Sequence, residues 1–200
     1  MKRNNLSLSR RFRGLMPVVV DVETSGLQPG TDAMLEIAAV ILEADAEGKL
    51  YKKQTISYHV EPFLGARIEP EALAVTGIDP TSPLRLAIPE AQALYRIFSH
   101  IQHALLQAGC YRAVLVGHNA WFDLSFILAA VRRNRIKENP FHSFTTFDTA
   151  TLAAVSLGET VLARAVKRAR IPFDISQAHS ASYDAERTAE LFCWIVNKII

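Results

Sequence analysis

Cysteine is scarce, with only Cys110 and Cys193 in 200 residues. Two thiols so far apart in sequence supply no disulfide framework and suit a reducing compartment, so a cytoplasmic location is expected. Long apolar runs are lacking as well. None approaches the roughly 20 residues that a membrane span needs. No apolar stretch follows the basic residues after Met1, so neither a secretory signal nor a membrane partner is expected. A strong charge of either sign is also missing. Lys and Arg number 22 against 20 Asp and Glu, a net charge of +2, which permits nucleic acid as a partner without arguing for it. Repeats, low-complexity tracts and linkers are absent, so one domain over residues 1–200 is expected, with half of its residues hydrophobic and enough length for a sizeable core. The distribution of charge says more than its sum. Lys2, Arg3, Arg10, Arg11 and Arg13 precede the first acid, Asp21, and read as a basic N-terminal arm over residues 1–13.

Periodicity predicts strands over Met16–Glu23, Met34–Glu43 and Gln54–Val60, with a hairpin turn at Glu47-Gly48-Lys49, hence an antiparallel meander. A short helix follows over Glu69–Val75, with Pro70 near its start where the missing N–H is harmless. Apolar residues at helical spacing (Ala93, Leu94, Ile97, Phe98, Ile101, Leu105) predict a helix from Pro89 to Gln107, stopped by Gly109. Ala113–Gly117 reads as a buried strand, Trp121–Arg133 as a helix, and Thr146–Thr149 as the end of an extended stretch. Leu152–Leu157, Val161–Arg170 and Ser182–Ile199 read as helices. Strands first, then helix and strand in alternation, point to an α/β fold with a mixed sheet flanked by helices.

The stretch around which this arrangement turns is Val18-Val-Val-Asp21-Val-Glu23-Thr-Ser-Gly26-Leu27. A run of β-branched residues is the composition of a buried strand, yet it carries two acids. Two residues apart on a strand, Asp21 and Glu23 share a face at a spacing of about 7 Å. Like charges there repel and lose hydration. An oxygen-only pair suits a hard divalent ion such as Mg²⁺ or Mn²⁺, at the strand end where α/β sheets bind ligands. Taken alone, Asp-x-Glu is better explained by a solvated strand end. Two further acids change the balance. Asp123 stands just inside the helix after a buried strand, and Asp184 at the start of the last helix, with Glu186 as a competitor. Each by itself reads as a complement to the helix dipole. His179 lies in a run of small residues before Asp184. Four carboxylates can hold two cations ~3.5–4 Å apart, one activating a water and the other steadying a leaving oxygen, and a histidine can take the water's proton. Glu36 and Asp148 are expected behind such ligands rather than among them, and His118 and Asn119 are expected to order the loop before Phe122.

Asp21-x-Glu23-Thr-x-Gly, His118-Asn-x-x-Phe-Asp123 and His179-x-x-x-x-Asp184 resemble, in that order, the motifs of the DEDDh 3′–5′ exonucleases, the superfamily of polymerase proofreading subunits. Arg11-Phe-Arg-Gly14, Glu61-Pro-Phe, Pro70-Glu-Ala-Leu, Gly77-Ile-Asp-Pro80, Asn139-Pro-Phe-His142, Thr146-Phe-Asp-Thr149 and Gln177-Ala-His-Ser180 narrow the resemblance to the ribonuclease T branch, over nearly the whole length. It implies a ribonuclease H-like sheet, antiparallel in its first three strands and then parallel. It implies that Asp21, Glu23, Asp123 and Asp184 bind two Mg²⁺ ions, with Mn²⁺ able to substitute, and that His179 is the general base. Nucleoside 5′-monophosphates would leave the 3′ ends of tRNA and other stable RNA precursors, or of single-stranded DNA. Phe122 and Phe144 match positions that stack on terminal bases, Glu71 matches an acid that reads the last base, and Thr24, Leu27 and Val75 line the same place. Arg11, Arg13 and Arg112 match a basic patch through which each subunit of a homodimer feeds RNA to the other's site. Leu27 and Val75 replace phenylalanines, which implies weaker discrimination against a 3′-terminal cytosine. Leu106 replaces a lysine, which thins the patch. Many relatives also continue beyond the point matching Ile200. Two neighbours in chemistry, an oligoribonuclease and a DNA proofreading exonuclease, and one from another class, a silent nucleic-acid-binding module, remain open on sequence alone. The Glu61–Pro80 stretch and basic N-terminus weigh against the first two, and the complete set of five active-site residues against the third.

Overall fold

The computed structural model describes residues 7–198. Its centre is a five-stranded sheet in the order β3-β2-β1-β4-β5. Strand β1 (Leu15–Thr24) pairs antiparallel with β2 (Met34–Ala44), which pairs antiparallel with β3 (Leu50–His59). On the other side, β4 (Arg112–Gly117) lies parallel to β1, and β5 (Phe141–Asp148) parallel to β4. This is the mixed sheet expected, three antiparallel strands and then parallel ones, flanked by helices. Val18, Val19 and Val20 are all buried. Since successive residues of a strand point to opposite faces, both faces of β1 are covered. Helix α7 (Ala181–Lys198) runs along β3, β2 and β1. Helix α3 (Glu90–Ala108) lies over β1 to β4, and α4 (Trp121–Arg133) against β1, β4 and β5. Helix α2 (Pro70–Thr76) is a single exposed piece beside β1, ended by Gly77 in the left-handed conformation at φ 68°. No single helix is long and apolar enough to cross a membrane.

Three elements differ from the sequence pattern for identifiable reasons. Strand β3 begins four residues earlier than its alternation suggests. A register shift between Ile41 and Leu42 of β2 changes which face each residue presents and blurs the period-2 signal. Helix α5 (Thr149–Leu157) begins three residues earlier, because Asp148 caps it by accepting the Thr151 N–H. Helix α6 (Leu162–Arg168) is shorter than expected and stops before Arg170, whose φ is 60°.

The basic arm needs a correction. Residues 1–6, with Lys2 and Arg3, and the last expected helical position, Ile199, lie outside the described residues. From Ser7 onward the chain is part of the fold rather than a free arm. Helix α1 (Leu8–Arg11) buries Leu8 in the core, and the Phe12 ring tilts against Phe147 at 5.4 Å between centroids. The Arg11 guanidinium donates to the carbonyls of Gly48 at 2.7 Å and Val196 at 3.0 Å. It therefore holds the β2–β3 turn to α7 instead of facing a nucleic acid. Both cysteines are free and buried, and burial pushes the Cys193 thiol up to about 12.

Helix α4 is fixed from outside the sheet by Glu90 at the start of α3. Its buried carboxylate accepts from Arg133 Nε and Nη2 at 3.1 and 2.6 Å and from Asn134 Nδ2 at 2.6 Å. Removing one member leaves a guanidinium partly buried without its counter-charge. Glu90→Ala is expected to lower stability by about 3 kcal/mol, read as a lower urea midpoint at unchanged slope.

Candidate active site

Where β1 outruns β4, the sheet opens. The last β1–β4 pair is Val19 with Val116, after which β1 runs five residues further to Thr24 while β4 ends at Gly117. The backbone of β1 thus loses its parallel neighbour at the C-terminal end, the crevice in which open α/β sheets place ligands. Asp123, in the first turn of α4, enters this gap and accepts the Val22 N–H at 3.0 Å in place of the missing strand. A side chain at Gly117 would stand 3.0 Å from Asp123 Oδ2 and from the backbone of Ala120, so the glycine makes room for the carboxylate. Asp148 accepts the Ala120 N–H at 3.0 Å while capping α5, which ties the start of α4 to the end of β5. Both of its oxygens are occupied in this way, which suits a residue behind the site.

Asp184 comes from the opposite side, in the first turn of α7. Its Oδ2 accepts the N–H of His179 at 2.9 Å. His179, two residues before α7, has a left-handed backbone, φ 65°, and its side chain is exposed. Among the described residues, the other oxygen of Asp184, Oδ1, is buried and has no hydrogen-bond partner. One oxygen each of Glu23 and Asp184 and one ring nitrogen of His179 lie within 4.8 Å of one another. Asp21, Glu23, Asp123, Asp184 and His179 all line one cleft of about 480 Å³. Side chains 163 residues apart in the chain, from Asp21 to Asp184, thus meet in one pocket, as the motif spacing anticipates.

The cleft's electrostatics are those of an unneutralised anion cluster. Burial, and then the neighbouring charges of Asp123, Glu23 and Asp184, raise the Asp21 carboxyl well above its ordinary range. Burial first and then Asp184 push Glu23 up to about 8. Burial likewise takes Asp123 to about 8, against the Val22 N–H that favours its charged form. Asp184 is raised by burial, opposed by the His179 amide and imidazole. Oxygen donors this crowded, with one orphaned, fit a divalent cation.

The remaining candidates divide. Phe122 is half-buried in the cleft wall, backed by Phe126 at 5.0 Å. Thr24 is buried, with its hydroxyl donating to the Gly26 carbonyl in the turn after β1. Leu27, Glu71, Val75 and Phe144 are exposed and outside the cleft wall proper. Arg13 and Arg112 are farther still. Arg112 pairs with Leu15 at the other end of β1 and β4, six residues or about 20 Å from Asp21. His118 lines the cleft, but its Nε2–H donates to the Thr160 carbonyl at 2.7 Å, and burial lowers its pKa. Two residues carry more than the sequence suggests. Glu36, paired across the strands with Glu23, accepts the Ala181 N–H at 3.2 Å and holds His59 Nδ1 at 2.8 Å, which anchors the start of α7. Trp121 lines the cleft with its indole exposed. Its place directly before Phe122 and Asp123 is the one signal that could have found it.

A family profile described as Exonuclease matches residues 18–192, and with the fold and the acid cluster it makes this chain a member of the exonuclease family, enzymes that hydrolyse nucleic acids. Within that family the chain is 59% identical over 191 residues to Ribonuclease T of Hahella chejuensis, covering 96% of this chain and 88% of that one. It is 56% identical over 192 residues to Ribonuclease T of Yersinia enterocolitica, covering 96% and 89%. Similarity at this level over nearly the whole length makes it a 3′–5′ exoribonuclease. Among solved structures, exonuclease I of E. coli in complex with a dT13 oligonucleotide superposes with a TM-score of 0.68 at 20% identity, over 90% of this chain and 41% of that one. The chain thus spans about two fifths of exonuclease I, which shares its fold. Divalent metal use goes with the family and with the cluster.

The raised carboxyls make a thermodynamic prediction. Without metal, Glu23 and Asp123 keep their protons in the folded chain up to about pH 8, whereas an unfolded chain releases them near pH 4. The folded state therefore binds more protons across that window, and its stability falls as pH rises through it. With chelator present, the thermal midpoint should drop from about pH 5 to about pH 8. Millimolar Mg²⁺ should restore far more at the upper pH, where the ionised carboxylates bind it.

Proposed function

We propose that this exonuclease, acting as one domain, trims short 3′ overhangs of tRNA and other stable RNA precursors, and also single-stranded DNA, and releases nucleoside 5′-monophosphates. The observation that carries this reading is the convergence of four acids and an exposed histidine from three separate parts of the chain in one cleft. In it, Asp21, Glu23, Asp123 and Asp184 hold two Mg²⁺ ions, with Mn²⁺ able to replace them. When bound, such ions acidify the attacking water and stabilise the departing 3′ oxygen. His179 is the general base. Its ring is exposed to the cleft, whereas a nitrogen of His118 is held by the Thr160 carbonyl. The proton of the water passes to the His179 imidazole as oxygen attacks phosphorus. The P–O3′ bond breaks, the departing 3′ oxygen takes a proton from solvent water to become the 3′ hydroxyl of the shortened strand, and the freed nucleotide carries a 5′ phosphate. Phe122 stacks on the terminal base, and Phe144 on a neighbouring one. Leu27, Val75, Thr24 and Glu71 surround the last nucleotide, consistent with the exposed apolar surface that Leu27 and Val75 present. The dT13 strand held by exonuclease I on the same fold accords with single-stranded DNA as a second substrate.

The placement of the basic residues supports a homodimer. Arg112, paired with Leu15, stands about 20 Å along the sheet from Asp21, and Arg13 lies two residues before Leu15, so both sit at the far end of β1 from their own cleft. In a dimer they would serve the partner's cleft, with Arg11 left out because its guanidinium is engaged inside the fold. The buried free thiols suit a reducing cytoplasm.

A 5′-labelled single-stranded RNA incubated with Mg²⁺ tests the central assignment. Wild type should shorten it stepwise from the 3′ end. Asp21→Asn, nearly isosteric, should abolish this, and His179→Ala should slow it by about 10²–10⁴-fold. Full activity in Asp21→Asn would overturn the assignment. The dimer has its own test. An Asp21→Asn chain and an Arg13→Ala/Arg112→Ala chain, each weak alone, should regain activity when mixed, since one supplies an intact patch and the other an intact cleft. No recovery would remove the exchange of patches between subunits.

A further inference from the structure

We infer that Trp121 is a stacking platform for a base of the bound strand, set so that the run of stacked bases breaks between Trp121 and Phe122. This rests on the exonuclease reading of the cleft and goes on to say how the strand is shaped within it.

Trp121 is the first residue of α4, two before Asp123, and it lines the same cleft as the acids. It is 67% exposed, whereas Phe122 is half-buried. A ring that stays in water at the rim of a catalytic cleft forgoes the burial that a core indole gains, so its faces are available to a ligand. The helix start that carries it is held by Asp148 through the Ala120 N–H, which makes the ring's base rigid. Single strands are gripped by such rings because every base has a flat face, so stacking tolerates any sequence.

The relation of the two rings gives the inference its content. Trp121 and Phe122 meet edge to face, with centroids 5.9 Å apart and planes at 90°. A base lying flat on one ring therefore stands on edge to the other. One continuous stack cannot use both, so successive bases must turn by about a right angle between them. That turn falls beside Asp123, where a bend would separate the terminal nucleotide from the rest of the strand.

The full chain carrying Trp194→Phe tests this, since Trp194 is the other of the two tryptophans and packs half-buried among Ala153, Ala165 and their neighbours, outside the cleft. With chelator present to prevent cleavage, titration with an oligouridylate should quench the Trp121 emission saturably. Trp121→Ala should weaken binding by about 5- to 150-fold by fluorescence anisotropy, and Trp121→Phe should keep most of it. A strand that binds by anisotropy with no change in indole emission, or that binds Trp121→Ala as tightly as the parent, overturns the inference. If that same chain releases nucleotides with Mg²⁺, the exonuclease reading stands without it. A chain that neither binds the strand nor releases nucleotides overturns both.

Discussion

The cleft is organised around a repulsion. Four carboxylates crowd the end of β1, two of them pushed up to about 8 and all of them raised by burial. Nothing in the apolar core benefits from this arrangement, and among the described residues no lysine or arginine forms an ion pair with any of the four. A fold maintains such a cluster only when its framework overrides the electrostatic cost, and a bound cation turns that cost into affinity.

The framework does so with backbone geometry at the cleft and with ion pairs set behind it. The early end of β4 frees one side of β1, and the Val22 N–H, which would otherwise lack a partner there, fixes Asp123. Gly117 leaves the space, Asp148 and Glu90 pin the two ends of α4, and Glu36 holds the start of α7. Backbone amides take one oxygen each of Asp123 and Asp184 in this framework. The acids themselves are thus left with free oxygens.

Much of this was legible in the chain. The valine run interrupted by Asp21 and Glu23 marks the central strand, and the two acids on it point to the cleft only once Asp123 and Asp184 are set beside them. The other two motifs locate Asp123 and Asp184, since each sits in the first turn of a helix whose start faces the cleft at the C-terminal end of β1. What escaped has physical causes too. The bulge in β2 spoiled the alternation that would have delimited β3. Leu8 and Phe12 are too few to signal a buried turn within a run of arginines, so the arm looked free. Arg11 was read as a surface charge because a carbonyl partner leaves no trace in sequence. Trp121 opens an otherwise apolar helix, and nothing in the pattern says that its ring points outward.

The two oxygens of Asp184 have separate duties. One grips the main chain of His179, and the other is buried without a hydrogen-bond partner among the described residues. A carboxylate is a rigid plane, so whatever tugs on the free atom also shifts the held amide. The His179 imidazole is thereby tethered to the same carboxylate that carries the unpaired atom, so the position of the ring and that of the acid are linked through one joint.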